Sequence, residues 1–145
     1  MRQWVAALHT VLAAAILAGG ATVAAAPPAG HPAAEILGTW RGTSICTDRT
    51  VAPACRDETV VYTFSPGNKP GAVRWTADKI VNGERQTMGE LDMRFDSREG
   101  CWLAEFSSPS VQAAYCLKVS GTHMAGTGWV LPGRQTIRKI EVSKD

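Results

Sequence analysis

The chain has 145 residues, 15 of them Lys or Arg against 13 Asp or Glu, for a formal net charge of +2; this is enough for one well-cored domain and too little for two. A composition of 45% hydrophobic and 19% charged residues excludes a collagen, a coiled coil or a disordered tail. Like charges nowhere run to five or more, so the sequence carries no nucleic-acid footprint.

Arg2 precedes an apolar stretch from Trp4 to Ala18, interrupted by His9 and Thr10, and small residues follow through Ala26. This is the pattern of a secretory signal peptide, and the apolar stretch is shorter than the ~20 residues a membrane span needs. Cleavage after Ala25 is favoured over cleavage after Ala26, which would place Pro27 beside the scissile bond. The expected organisation is a signal peptide over residues 1–25, a flexible Pro/Ala-rich lead-in over 26–35 and one domain over 36–145. The mature protein is then secreted or periplasmic, keeps no membrane span and is expected to be a monomer.

Beyond the lead-in, period-2 alternation recurs over residues 37–46, 59–64, 72–80, 87–95, 101–106, 111–119, 124–130 and 136–142. Gly, Pro, Asn and Ser fill the links, as in 65–71, Asn82-Gly83 and 131–133. Links this short force antiparallel neighbours. An eight-stranded meander without a covering helix has two bare edges unless it closes, so the expected fold is all-β, an eight-stranded antiparallel up-and-down barrel.

All four cysteines, Cys46, Cys55, Cys101 and Cys116, lie in the exported part, and their even number favours disulfides, for which three connectivities are open. No Cys-x-x-Cys pair supports a zinc site, and no metal is expected. A hairpin turning at Ser108-Pro109 would pair Phe106 with Val111, Ala104 with Ala113, Trp102 with Tyr115 and Cys101 with Cys116. That register assigns Cys101–Cys116 and, by elimination, Cys46–Cys55.

The segment Ile36-Leu37-Gly38-Thr39-Trp40 resembles the Gly-x-Trp opening of the calycin superfamily, which includes lipocalins, fatty-acid-binding proteins, avidins and barrel-shaped bacterial metalloprotease inhibitors. The resemblance implies that Trp40 closes one barrel end and that Arg138, from the last strand, packs across it. Arg41-Gly42-Thr43-Ser44 stands where avidins carry their biotin-binding Asn and Ser, so biotin is not implied. The opening is also similar to that of the haem-binding nitrobindins, but His123, the sole histidine of the expected domain, falls in an expected turn. No cofactor is expected.

Catalytic patterns are missing: the sequence has no Gly-x-Ser-x-Gly elbow and no Lys-Ser/Thr after the glycines at 121 and 126, and its cysteines are expected to be oxidised. Glu90, Asp92 and Arg94 alternate with Leu91, Met93 and Phe95 and read as the wet face of a strand. Tyr62, Trp75, Phe95, Trp102, Phe106 and Tyr115 fall on apolar strand faces and are the candidate walls of a ligand cavity. The leading expectation is a non-catalytic exported barrel that takes a small hydrophobic molecule into its lumen. The alternative is an inhibitor of a secreted enzyme, or another protein-partner binder, acting through the amino-terminal segment and the loop bearing Asp48, Arg49, Arg56 and Asp57.

Overall fold

The computed structural model describes residues 32–145. The expected signal peptide (1–25) and the first part of the expected lead-in (26–31) lie outside the described residues. Among these residues, a short helix α1 (Pro32–Ile36) is followed by strands β1 (Gly38–Cys46), β2 (Glu58–Pro66), β3 (Ala72–Val81), β4 (Glu84–Asp96), β5 (Cys101–Ser107), β6 (Gln112–Ser120), β7 (His123–Val130) and β8 (Gln135–Lys144). Each strand pairs antiparallel with the next, and β8 pairs with β1, so the barrel is closed and up-and-down.

Alternation sets the interior. Trp40, Val60, Tyr62, Val73, Trp75, Met93, Trp102, Leu117, Met124, Ile140 and Val142 form one buried cluster, while the intervening residues are largely polar. The turns follow the sequence signals. Asn82 and Gly83 both take positive φ, 52° and 84°, as a two-residue hairpin turn of the right twist requires. That tight turn lets pairing run to Val81↔Glu84, which starts β4 three residues earlier than the alternation suggested.

One end of the barrel is sealed. Residues 32–35, expected in the flexible lead-in, belong to α1, because Ala33 and Ile36 sit one helical turn apart and bury together in the core. Trp40 is fully buried beneath the helix and donates its indole Nε1–H to the Ile36 carbonyl at 2.8 Å. The expected stack of Arg138 on Trp40 does not form. In the β1–β8 ladder Trp40 lies opposite Lys144, whereas Arg138 lies opposite Cys46, six residues further along and so about 20 Å away. Lys144 supplies the cation instead: its Nζ lies 5.2 Å from the Trp40 ring and donates to the Glu35 carbonyl at 2.9 Å.

Both disulfides, Cys46–Cys55 and Cys101–Cys116, are formed, which is compatible with an extracellular or periplasmic protein. The β5–β6 register differs from the expected one by two residues. Ser107 pairs with Gln112, Ala104 with Tyr115, and Trp102 with Leu117. The loop has four residues, closed by a Ser108 N–H to Val111 carbonyl bond at 2.9 Å, because proline cannot adopt the positive φ of a two-residue primed turn. A two-residue shift preserves the faces, so the aromatic side still points inward. Cys116 then lies opposite Leu103, and Cys101 reaches it diagonally with Cα atoms 5.5 Å apart.

Two irregularities matter for the site. In the β3–β4 ladder Ala77 pairs with Gly89 and Asp78 with Thr87, leaving Met88 as a bulge. The β4–β5 seam consists of three pairs, Arg94↔Leu103, Phe95↔Trp102 and Asp96↔Cys101. Toward the other end the two strands part, so 84–93 is laddered to β3 alone and 104–107 to β6 alone.

Trp40→Ala is expected to lower the unfolding free energy by ~3–5 kcal/mol through lost burial and the cavity left behind. Lys144→Met, which keeps the length and removes the charge, is expected to cost ~0.5–1 kcal/mol. Urea unfolding of both variants measures this; a Lys144→Met cost matching that of Trp40→Ala would contradict the assignment of the sealing role to the indole.

Candidate functional site

The end opposite α1 is open. There the inward faces of β1, β2, β3, β4, β5, β6 and β8 enclose a cavity of about 250 Å³, lined by Tyr62, Trp75, Ala77, Leu91, Phe106 and Tyr115, with Met88, Gly89 and Glu90 on the β4 side and Ser44, Glu58 and Arg138 on the β1–β2–β8 side. Its aromatic wall is built by contact among rings. Trp75 meets the edges of Tyr62 and Tyr115 at centroid distances of 5.0 and 5.3 Å and stacks on Phe64 at 6.2 Å.

Gly128 makes room for that wall. A Cβ there would come within 2.8 Å of the Tyr115 ring and 3.3 Å of the Arg138 Cβ, so only glycine lets β7 approach both.

The polar side of the cavity centres on Arg138, which a bulge at Ile137 sets opposite Gly128. Its Nη1 donates to the Ser44 carbonyl (3.2 Å), the Ser44 hydroxyl (2.8 Å) and Glu58 Oε2 (3.2 Å), and its Nη2 contacts Cys55 Sγ at 3.3 Å. Arg138 and Glu58 are each 15% exposed, so this ion pair is held largely out of water and needs the additional acceptors to offset desolvation. The Cys46–Cys55 bridge thereby ties the first loop to the cavity rim.

Burial pushes the Tyr62 phenol up to about 12, against a hydrogen bond with Ser44 and the nearby Arg138 charge, both of which act to lower it. Tyr115 is likewise raised by burial. Both phenols are therefore neutral at physiological pH. The Trp75 ring is 3% exposed, and its Nε1 is the one buried side-chain nitrogen or oxygen among the described residues without a hydrogen-bond partner.

Of the six wall candidates, Tyr62, Trp75, Phe106 and Tyr115 line the cavity. Trp102 is buried deeper, in the core toward the sealed end, and Phe95 lies against it at 5.6 Å while 42% exposed, outside the lining. Phe106 is 40% exposed because it borders the gap where β4 and β5 part. Leu91 was legible from alternation. The places of Ser44 and Glu58 were signalled only by their period-2 spacing from Trp40 and from Val60 and Tyr62.

Elsewhere, Glu90 and Asp92 both pair with Arg74 across β3–β4, at 3.5 and 2.9 Å. His123 opens β7 instead of lying in a turn, and contacts Glu141 at 2.8 Å on the exposed surface. Among the described residues no group of three or more His, Cys, Asp and Glu is placed to hold a metal ion.

The chain contains two tyrosines, so their ionisation can be read directly from the phenolate absorbance. Both phenols are expected to titrate above the ordinary tyrosine value, Tyr62 near 12. Because the folded pKa lies above the unfolded value of ~10, Tyr62's contribution to stability is complete below pH 10 and falls as pH rises toward 12. Two phenolates forming with a midpoint at 10 in the folded protein would contradict the buried placement.

No protein-family model matches the chain, and no curated protein is found similar to it.

Proposed function

We propose that the protein is an exported, non-catalytic barrel that binds a small hydrophobic molecule at the open end of its lumen. The observation that carries this reading is the aromatic-lined cavity of about 250 Å³, bounded by Trp75, Tyr62, Tyr115, Leu91 and Phe106. The volume lies just below the ~300 Å³ at which drug-sized pockets begin, so the ligand is small. A route inward is available beside Phe106, Met88 and Gly89, where the β4–β5 ladder stops.

The Gly38-Thr39-Trp40 opening and the closed eight-stranded meander support a calycin-like affiliation for this binding role. The departure at the second anchor, where Lys144 takes the place expected of Arg138, removes the reason to carry over any particular calycin ligand. Export is supported by the amino-terminal sequence pattern and by the two disulfides.

Inhibition of a secreted enzyme draws less support. The charged groups of the 47–57 loop are engaged within it or beside it: Arg49 pairs with Asp57 at 3.1 Å, and Arg56 donates to the Pro53 and Cys55 carbonyls, both at 2.8 Å.

Titration of the oxidised protein with indane, naphthalene and indole is expected to quench tryptophan fluorescence saturably, with one molecule bound per chain by native mass spectrometry. Ala77→Phe, which fills the lumen from β3, should weaken binding at least ~10-fold while leaving the unfolding midpoint within a few degrees of the parent. Absence of saturable quenching by all three compounds would overturn the reading.

A further inference from the structure

We propose that the cavity takes neutral compounds of one or two rings bearing a hydroxyl group, whose O–H donates to the Glu58 carboxylate and whose oxygen accepts from the Tyr115 hydroxyl. This rests on the cavity-binding reading above and specifies the chemistry of its ligand.

The first observation is a continuous polar arc along one wall of the cavity. Tyr115, Gly128 and Arg138 stand side by side across β6, β7 and β8. Gly128 has no side chain, so the Tyr115 ring and the Arg138 Cβ both border the space above it. Arg138 Nη1 in turn reaches Ser44 Oγ at 2.8 Å and Glu58 Oε2 at 3.2 Å, and Ser44 pairs with Glu58 across β1–β2. Tyr115, Arg138 and Glu58 all line the cavity. Both charges bear on the Tyr115 phenol: beside the larger upward effect of burial, Arg138 acts to lower its pKa and Glu58 to raise it.

Unused hydrogen-bonding capacity within reach of a guest is the second observation. Among the described residues, the Tyr115 hydroxyl, Glu58 Oε1 and Arg138 Nε have no hydrogen-bond partner in the protein. None of these three atoms is sealed from solvent; that holds for one unpartnered side-chain atom alone, Trp75 Nε1, which therefore plays no part in selection. Glu58 and Arg138 each keep 15% of their side chains exposed at the open end. The arc thus presents a free acceptor beside free donors. A hydroxyl answers both with a single oxygen, whereas an ether or a ketone can only accept and leaves the Glu58 oxygen unmatched.

Charge and size complete the case. Arg138 is already paired with Glu58, so a carboxylate entering beside it would meet the free Glu58 oxygen, and an ammonium would meet the guanidinium, each in a partly desolvated site. A hydroxyl brings no charge. An apolar cavity of ~150 Å³ holds benzene. One of about 250 Å³, walled by the rings of Tyr62, Trp75 and Tyr115, has room for one or two fused rings.

Four probes of similar size separate the possibilities: 5-indanol (donor and acceptor), 5-methoxyindane (acceptor only), indane (neither) and indane-5-carboxylate (anion), each titrated into the oxidised full protein by calorimetry. The indanol is expected to bind about tenfold tighter than indane, and tighter than the carboxylate by at least about the same factor. The methyl ether, unable to donate to Glu58, should gain less than about threefold over indane. Tyr115→Phe, which keeps the ring and removes one oxygen, should cut the indanol-to-indane affinity ratio to about threefold or less.

A second readout does not depend on that variant folding. In protein labelled with ¹³C at the tyrosine Cζ, the two tyrosines give two resonances, and that of Tyr115 should move further with 5-indanol than with indane. Equal affinity for indanol and indane, equal affinity for indanol and its methyl ether, or equal movement of the Tyr115 resonance would overturn the inference and leave the cavity reading standing. Tightest binding of the carboxylate would likewise overturn it. Failure of all four probes to bind would overturn the cavity reading itself.

Discussion

Everything else in the molecule depends on the pairing of its last strand with its first. The β1–β8 ladder runs from Trp40↔Lys144 to Cys46↔Arg138, and with it the sheet has no outer edge. The register of that ladder does more than close the wall. It delivers Lys144 to the sealed end, where it covers Trp40 and ties down the Glu35 carbonyl of α1, and it delivers Arg138 to the open end, where it gathers Ser44, Glu58 and Cys55. One strand thus equips both ends of the barrel with a cation, and each cation has a different task.

The two ends differ in what they do with buried polar groups. At the sealed end the Trp40 indole finds a backbone carbonyl within its own helix-to-strand turn, and the apolar cluster around it is continuous. At the open end the polar groups form a satisfied arginine network on one wall and an unsatisfied indole donor on the other. Glycines on β7 reinforce the difference: at Gly128 the missing side chain is what lets the Tyr115 ring and Arg138 share the wall. The continuous apolar core thus lies toward the sealed end, and the polar groups of the interior collect at the open one.

Much of this was legible in the sequence. Alternation located all eight strands, because in a small closed barrel each residue has one wet side and one dry side, and the turn residues stand where the chain reverses. The cysteine pairing was legible as well, although the β5–β6 register that suggested it was two residues off. Pro109 carried the missing information, since its fixed φ rules out the tighter turn. The misplacement of Arg138 has another origin. Ile140 and Val142 already placed it on the inward face by parity, but its height along the barrel depends on the β1–β8 register, which no local pattern encodes. The bulge at Met88 and the early end of the β4–β5 ladder also escape sequence reading, for they follow from how the strands tilt to close the cylinder. Phe95 and Phe106 show the same limit: the face of a residue is written in the alternation, whereas its burial near a strand end is not.

The short β4–β5 seam gives the cavity wall an uneven mechanical character. The upper β3–β4 hairpin, carrying Ala77, Met88, Gly89 and Leu91, is fastened to the barrel through β2 alone, while the walls formed by β1, β2, β7 and β8 are laddered on both sides. Swinging that hairpin outward breaks no hydrogen bonds to β5 above Leu103 and leaves the sealed core intact. Its opening free energy is set locally and lies below that of global unfolding. A core sealed by Trp40 and laddered on both sides thus coexists in one closed barrel with a singly fastened upper hairpin, and the wall beside the cavity yields more easily than the rest.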